Sequence, residues 1–307
     1  VTLNEHGEGD QTERVPFRTA LAEGVRPSDV LLLALVPMAL LWVFSLPEST
    51  RRSLAFAYAD PTLLTAFTAH YVHLQFEHLL ANLVGYGLLA GVGYLVATAS
   101  RQRRLFVTSF VTFCLAFPFA LSALNLAVPR DAIGFGFSGI NMAFAGVLPL
   151  LLAVFACRRL GSEASTHPAD LPVRLLPATF LLLVGWMAAL ALPTALGARG
   201  LAGPLVMLLG AVVAARQLRS LRPPNGPSLL GSLRSAVRRI RDRPGDGDVF
   251  VVGSVLAVAY PVVGFPTDAT VDGRVINLYV HLLGFCLAFI GPYVLIVAGG
   301  FADPRTY

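Results

Sequence analysis

Gly134-Phe135-Gly136-Phe137-Ser138-Gly139 leads without a break into an apolar run from Ile140 to Ala156. A run of this kind reads as a membrane-spanning helix, which needs roughly 20 apolar residues to cross the hydrocarbon. A serine set between glycines at its mouth is an unusual place for a hydroxyl. Two other stretches are also polar where a bilayer would penalise them. His70, His73, His78 and Asn82 gather at the start of an earlier apolar run, and His281 lies inside a later one. Ionisable groups within spans are rare and mark functional sites by default.

Composition supports a membrane reading throughout. The 307 residues are 55% hydrophobic and 13% charged, whereas soluble domains carry about 25% charged residues. Several long apolar runs at that charge density define an all-α, polytopic transmembrane bundle. The polar stretches are too short to bury a core of their own, so no separate soluble domain is expected. All 23 basic residues are arginines, and the net charge is +5. They cluster in loops between apolar runs, which points to membrane orientation and lipid contact rather than nucleic acid. Cys114, Cys157 and Cys286 fall in or beside apolar runs without CxxC spacing, against both a disulfide framework and a zinc site. Residues 1–27 lack an apolar signal-peptide core and read as a disordered cytoplasmic tail. The membrane domain then occupies 28–307.

Eight runs are candidate spans: Val30–Leu46, His78–Ala99, Leu105–Val128, Ser138–Cys157, Leu175–Leu196, Gly200–Ala215, Val249–Phe265 and Ile276–Gly299. The sixth and seventh are shorter than the roughly 20 residues a span needs; without that pair six remain. With eight spans and both termini inside, 18 of the 23 arginines fall on the inner side and 5 on the outer. That asymmetry fixes the expected topology, a multi-pass protein of the cell membrane. His78, Asn82, Ser138 and His281 then all lie within about 10 Å of the outer ends of their helices, at about 1.5 Å per residue. On the inner side, residues 216–248 form a basic loop. After Pro223-Pro224-Asn225-Gly226-Pro227, Leu229, Leu233, Val237 and Ile240 alternate at helical spacing with Arg234, Arg238, Arg239 and Arg241. This reads either as an amphipathic helix on an anionic surface or as a solvated linker.

The chemistry these groups offer is acyl transfer. A serine hydroxyl becomes nucleophilic when a histidine within hydrogen-bond reach takes its proton. Gly134, Gly136 and Gly139 clear side chains from around Ser138, and a helix beginning there leaves N–H groups free to hold an oxyanion. His281 is the candidate base, and Gly284, one turn on, lets its helix pack closely on that of Ser138. His78 and Asn82 share one helical face and offer further donors. No aspartate lies in the His281 span, so the expected unit is a serine–histidine dyad. The bland readings are a serine bonded back to its own helix and polar side chains tying helix to helix.

The pattern His73-x4-His78-x3-Asn82, then Gly136-Phe137-Ser138-Gly139, then His281-x2-Gly284 resembles the rhomboid family of intramembrane serine proteases, in the family's order and orientation. The resemblance implies a six-helix core, here with two additional spans, around a water-filled cavity open to the outside. Ser138 is then the nucleophile and His281 the general base and acid. His78, Asn82 and the Ser138 N–H form the oxyanion hole, His73 lines the cavity, and Gly136, Gly139 and Gly284 allow close packing. The implied activity is endopeptidase cleavage of transmembrane protein substrates without any cofactor or metal. Three features depart from the family. Leu64-Thr65 stands where many members carry a Trp-Arg pair, leaving Arg51 and Arg52 as substitute anchors for the first outer loop. Ala288 replaces a common glycine, and the sequence does not say which of spans five to seven is the family's fifth helix. Two alternatives stand beside this: a membrane protein that binds transmembrane segments without cutting them, and a metal-dependent hydrolase using His70, His73, Glu77, His78 and His281. The spacing of that set matches neither HExxH nor HxxEH.

Overall fold

The computed structural model describes residues 15–128, 132–161, 171–191, 199–220, 229–266, 270–271 and 274–298. These residues are overwhelmingly helical: α1 Phe17–Gly24, α2 Pro27–Phe44, α3 Glu48–Ser53, α4 Leu63–Thr68, α5 Phe76–Ala99, α6 Arg103–Leu115, α7 Phe117–Asn125, α8 Ser138–Phe155, α9 Leu171–Ala191, α10 Arg199–Ser220, α11 Leu229–Arg241, α12 Asp246–Gly264 and α13 Leu278–Val297. Over its described residues, each of the eight apolar runs is largely helical. Among the described residues, α2, α5, α8, α10, α12 and α13 are long and apolar enough to cross a membrane. The chain is thus a multi-pass helical membrane bundle. The sixth and seventh runs, short by sequence, are among these six helices. The fifth falls short, its apolar part covering Leu175–Ala191.

The third run is not one straight span. It breaks between α6 and α7 with a bend of 50°. Pro118 is the cause, since it has no N–H to give the carbonyl four residues back and its ring clashes there. That carbonyl, on Cys114, instead accepts a hydrogen bond from the Tyr71 hydroxyl at 2.7 Å. The loop between α2 and α5 is therefore fastened to the bend. The expected disordered tail also needs correction: Phe17–Gly24 is helical and sits against α5, Gly24 lying beside Thr98. Residues 1–14 of that tail, and the Pro223–Pro227 break, lie outside the described residues.

α8 is the centre of the bundle, 78% of its span buried against 11% for α10. It packs on α5, α12 and α13. A stack of Phe110, Phe113, Phe144 and Tyr86 fills the space between α5, α6 and α8 with tilted and edge-on ring contacts. α12 lies against α5, where Gly85 admits the Tyr260 ring. α9 and α10 pack mainly on each other, Gly185 and Gly203 meeting backbone to backbone, and α9 stacks Phe180 on Phe285 and Phe289 of α13. α9 and α10 thus form a pair of their own, while α12 joins the central group by packing on both α5 and α8. The chain leaves and rejoins that group at one point. Arg159 pairs bidentately with Asp246 at 2.8 and 2.9 Å, and Arg243 donates to the carbonyls of Arg159 and Gly161. In the basic loop, Leu229–Arg241 is helix.

Candidate active site

The approach to Ser138 is held from several sides. β2 (Ile133–Gly134) pairs antiparallel with β1 (Phe56–Ala57) of the loop between α2 and α5, Gly134 opposite Phe56. The Gly136 N–H then donates to the Ala69 carbonyl at 2.9 Å. Gly136 has φ +110°, a conformation that L side chains rarely adopt, and any Cβ there would lie 2.6 Å from His78 Cε1. Glycine is thus required twice over, by the backbone and by the imidazole lying against it. The Phe137 N–H is accepted by His73 Nε2 at 3.4 Å. Burial, with the nearby His78, pushes the His73 imidazole down to about 3. It therefore stays neutral and keeps a lone pair for that N–H. His73 is fully buried, so it packs beneath the loop rather than lining a cavity.

Ser138 opens α8, with Phe137 as its N-cap. Neither the Ser138 nor the Gly139 N–H has an acceptor among the described residues. These are the orphan donors expected at a helix start. α13 crosses α8 here at backbone contact. A Cβ on Gly284 would lie 2.1 Å from the Gly139 carbonyl oxygen, and one on Gly146 would lie 2.4 Å from the Phe285 oxygen. This proximity brings His281 Nε2 to 2.8 Å from Ser138 Oγ, although the two residues are 143 apart in sequence. The other ring nitrogen, Nδ1, lies 2.9 Å from the Gly264 carbonyl oxygen. A carbonyl can only accept, so Nδ1 carries the proton and Nε2 faces the serine as a base. Gly264 ends α12, where carbonyls lack helical partners and the helix dipole is negative. The third member of the unit is therefore a backbone group, which no residue type in the sequence announces.

The helix α5 supplies His78 and Asn82, four residues apart. His78 is half-buried, its ring edge-on to His73 at 4.9 Å and 5.9 Å from Phe135. Asn82 differs from expectation. Its amide donates to the His78 carbonyl at 2.9 Å, and its side-chain oxygen accepts from Asn141 at 3.2 Å. One Asn82 N–H is thus committed to its own helix. Asn141 went unremarked in the sequence. It is fully buried one turn beyond Ser138, an amide in an otherwise apolar span, and that oddity was the signal available.

His70 stands apart from this group. Its Nε2 lies 3.1 Å from Ser122 Oγ, which in turn donates to the Ala66 carbonyl, and burial pushes the imidazole down to about 4. His70 thus joins the loop between α2 and α5 to α7. Arg51 anchors the same loop, donating to the carbonyls of His73 (2.6 Å) and Leu46 (3.2 Å) and lying 4.5 Å over the Phe44 ring. Arg52 pairs only with exposed Glu48. Among the described residues, no three His, Cys, Asp or Glu side chains converge to hold a metal ion. No protein-family model matches the chain, and neither a curated protein nor a solved structure matches it.

Proposed function

We propose that this protein is an intramembrane serine endopeptidase of rhomboid type, cleaving transmembrane segments of other membrane proteins near the outer face. The observation that carries the reading is the 2.8 Å contact between Ser138 Oγ and His281 Nε2, with Nδ1 tethered to Gly264. That geometry matches a nucleophile, its base and the group that orients the base.

In this mechanism Ser138 Oγ attacks the scissile carbonyl while its proton passes to His281 Nε2. The charge that develops on the carbonyl oxygen is met by the free N–H groups of Ser138 and Gly139, with His78 beside them. Collapse breaks the C–N bond, and Nε2–H protonates the departing amine. Water then attacks the acyl carbon as Nε2 takes its proton, the C–Oγ bond breaks to release the acid, and Nε2–H returns the proton to Ser138 Oγ. The imidazolium that forms twice in this cycle is favoured by the Gly264 carbonyl at the negative end of α12. Asn82 acts chiefly by holding α8 through Asn141. The substrate helix must unwind to present a carbonyl, and the side-chain-free surface around Gly136 and Gly139 gives it room. The arginine distribution favours cytoplasmic termini in the cell membrane.

The test is incubation of the purified protein in liposomes with a single-span substrate, alongside labelling by a fluorophosphonate. Wild type cleaves and labels at Ser138; Ser138→Ala and His281→Ala do neither while keeping their melting temperature. Cleavage by Ser138→Ala, or cleavage abolished by a chelator, overturns the proposal. A protein that labels but never cuts is a binder with a reactive serine.

A further inference from the structure

The end of α8 opposite Ser138 carries a cavity of about 1110 Å³. At 1.5 Å per residue, the 18 residues of α8 put it roughly 27 Å from the serine. Its wall holds seven arginines: 26, 101, 103, 104, 158, 159 and 243. Among the described residues the lining carboxylates are Glu23 and Asp246, and Asp29 lies behind Arg103. Counting all three acids, four positive charges remain among the described residues. Like charges crowded into one hollow repel, and the repulsion is relieved by an anion between them.

The arginines divide into two sets. Arg103 is held by Asp29, which also accepts from the Tyr94 hydroxyl at 2.8 Å. Arg158 donates to the Ser100 carbonyl, Arg159 pairs with Asp246, and Arg243 serves the clamp described above. These four build the wall. Arg26, Arg101 and Arg104 are exposed, and among the described residues their guanidinium groups have no hydrogen-bond or ion-pair partner. Arg101 has φ +57°, the only non-glycine residue with positive φ among the described ones. It follows α5 where its N–H bonds back to the Thr98 carbonyl at 3.1 Å, a helix-ending position that glycine fills at least cost. An arginine kept in a conformation that disfavours it, on the rim of a basic hollow, is strain retained at a place of use. The last turn of α8 also widens to a π-helix over Ala156–Leu160, setting Arg158 and Arg159 on the same wall.

We infer that this cavity is a binding site for a phosphate-bearing anion, gripped by Arg26, Arg101 and Arg104 over a floor of paired arginines. Planar guanidinium forks suit phosphate oxygens. The hollow takes a headgroup bearing more than one charge, and the basic face of α11 shares this end of the bundle. An anionic phospholipid and a free polyphosphate offer the same chemistry, and the experiment separates them. The site is independent of the proteolytic reading.

The full chain in neutral detergent is titrated by calorimetry with dioctanoyl phosphatidic acid, with dioctanoyl phosphatidylcholine and with inorganic pyrophosphate. Wild type binds phosphatidic acid or pyrophosphate and ignores phosphatidylcholine. Tight binding of the acidic lipid alone identifies a headgroup site, and equal binding of pyrophosphate identifies a soluble ligand. The double variant Arg101→Gln/Arg104→Gln binds about thirtyfold more weakly, and Arg26→Gln, a milder change, about fivefold. Failure of both phosphates to bind, or unchanged affinity in these variants at unchanged melting temperature, overturns the inference.

Discussion

Replacing Gly284 with alanine tests how the site is assembled. The added Cβ would sit 2.1 Å from the Gly139 carbonyl oxygen, and the obstacle is backbone rather than a side chain that can swing away. Carbon and carbonyl oxygen need about 3.3 Å, so α13 must retreat from α8 by roughly 1.2 Å. His281 lies one turn away on the same helix. Passed on in full, that retreat opens the 2.8 Å Ser138–His281 contact to about 4 Å, beyond the reach of a hydrogen bond. A misplacement of about 1 Å costs on the order of a hundredfold in rate, and the strain itself about 1–3 kcal/mol of stability. The assay is the second-order rate of fluorophosphonate labelling, paired with the melting temperature in the same detergent. Gly291 is the control, on the same helix with nothing within 4 Å of a built Cβ. Gly291→Ala should label at the wild-type rate and hold or gain up to about 1 kcal/mol in stability. Wild-type labelling by Gly284→Ala would refute the claim that this crossing sets the dyad.

Three further perturbations address the surroundings. Asn141→Ala removes the donor to Asn82 and leaves a buried amide oxygen unsatisfied; the expected loss of about 1–3 kcal/mol is read from the melting temperature. Arg51→Lys keeps the charge but loses the fork to Leu46 and His73. It should cost about 1.5–3 kcal/mol and speed hydrogen exchange in residues 54–75; unchanged exchange would show that the loop is held elsewhere. For pH, buried His70 stays neutral down to about 4 while the unfolded chain takes up its proton near 6.5. The unfolded state therefore binds more protons between those values, and stability falls as pH drops from 6.5 towards 4 with no contribution above. His70→Gln, unable to titrate, should show a shallower fall in melting temperature over that interval than wild type.

The sequence carries the helices and the key side chains because both are written in residue type. Apolar runs mark the eight helical stretches, and a serine or histidine inside such a run is conspicuous. What it hides is whatever depends on backbone or on distant packing. The Gly264 carbonyl that orients His281 has no side-chain signature. The order of α9, α10 and α12 along the chain does not reveal that α12 sits beside α5, since all three runs are comparably apolar. Asn82 looks like an exposed donor until Asn141 is seen against it. The bend at Ala116 is written in Pro118, but the run around it is continuous in hydropathy and so reads as one span.

The clamp of Arg159, Asp246 and Arg243 has a consequence for how this chain tolerates change. Because the excursion through α9, α10 and α11 departs and returns at one fastened joint, its contour length hardly bears on the geometry elsewhere. Doubling a flexible loop costs only about 0.6 kcal/mol in closure entropy. That segment is accordingly the natural place to splice in a reporter domain or to trim the polypeptide. The penalty for trimming would fall on Phe285 and Phe289, which would lose the ring of Phe180, and on Phe265 beside His281, which would lose Trp186; each would need an apolar substitute in its stead.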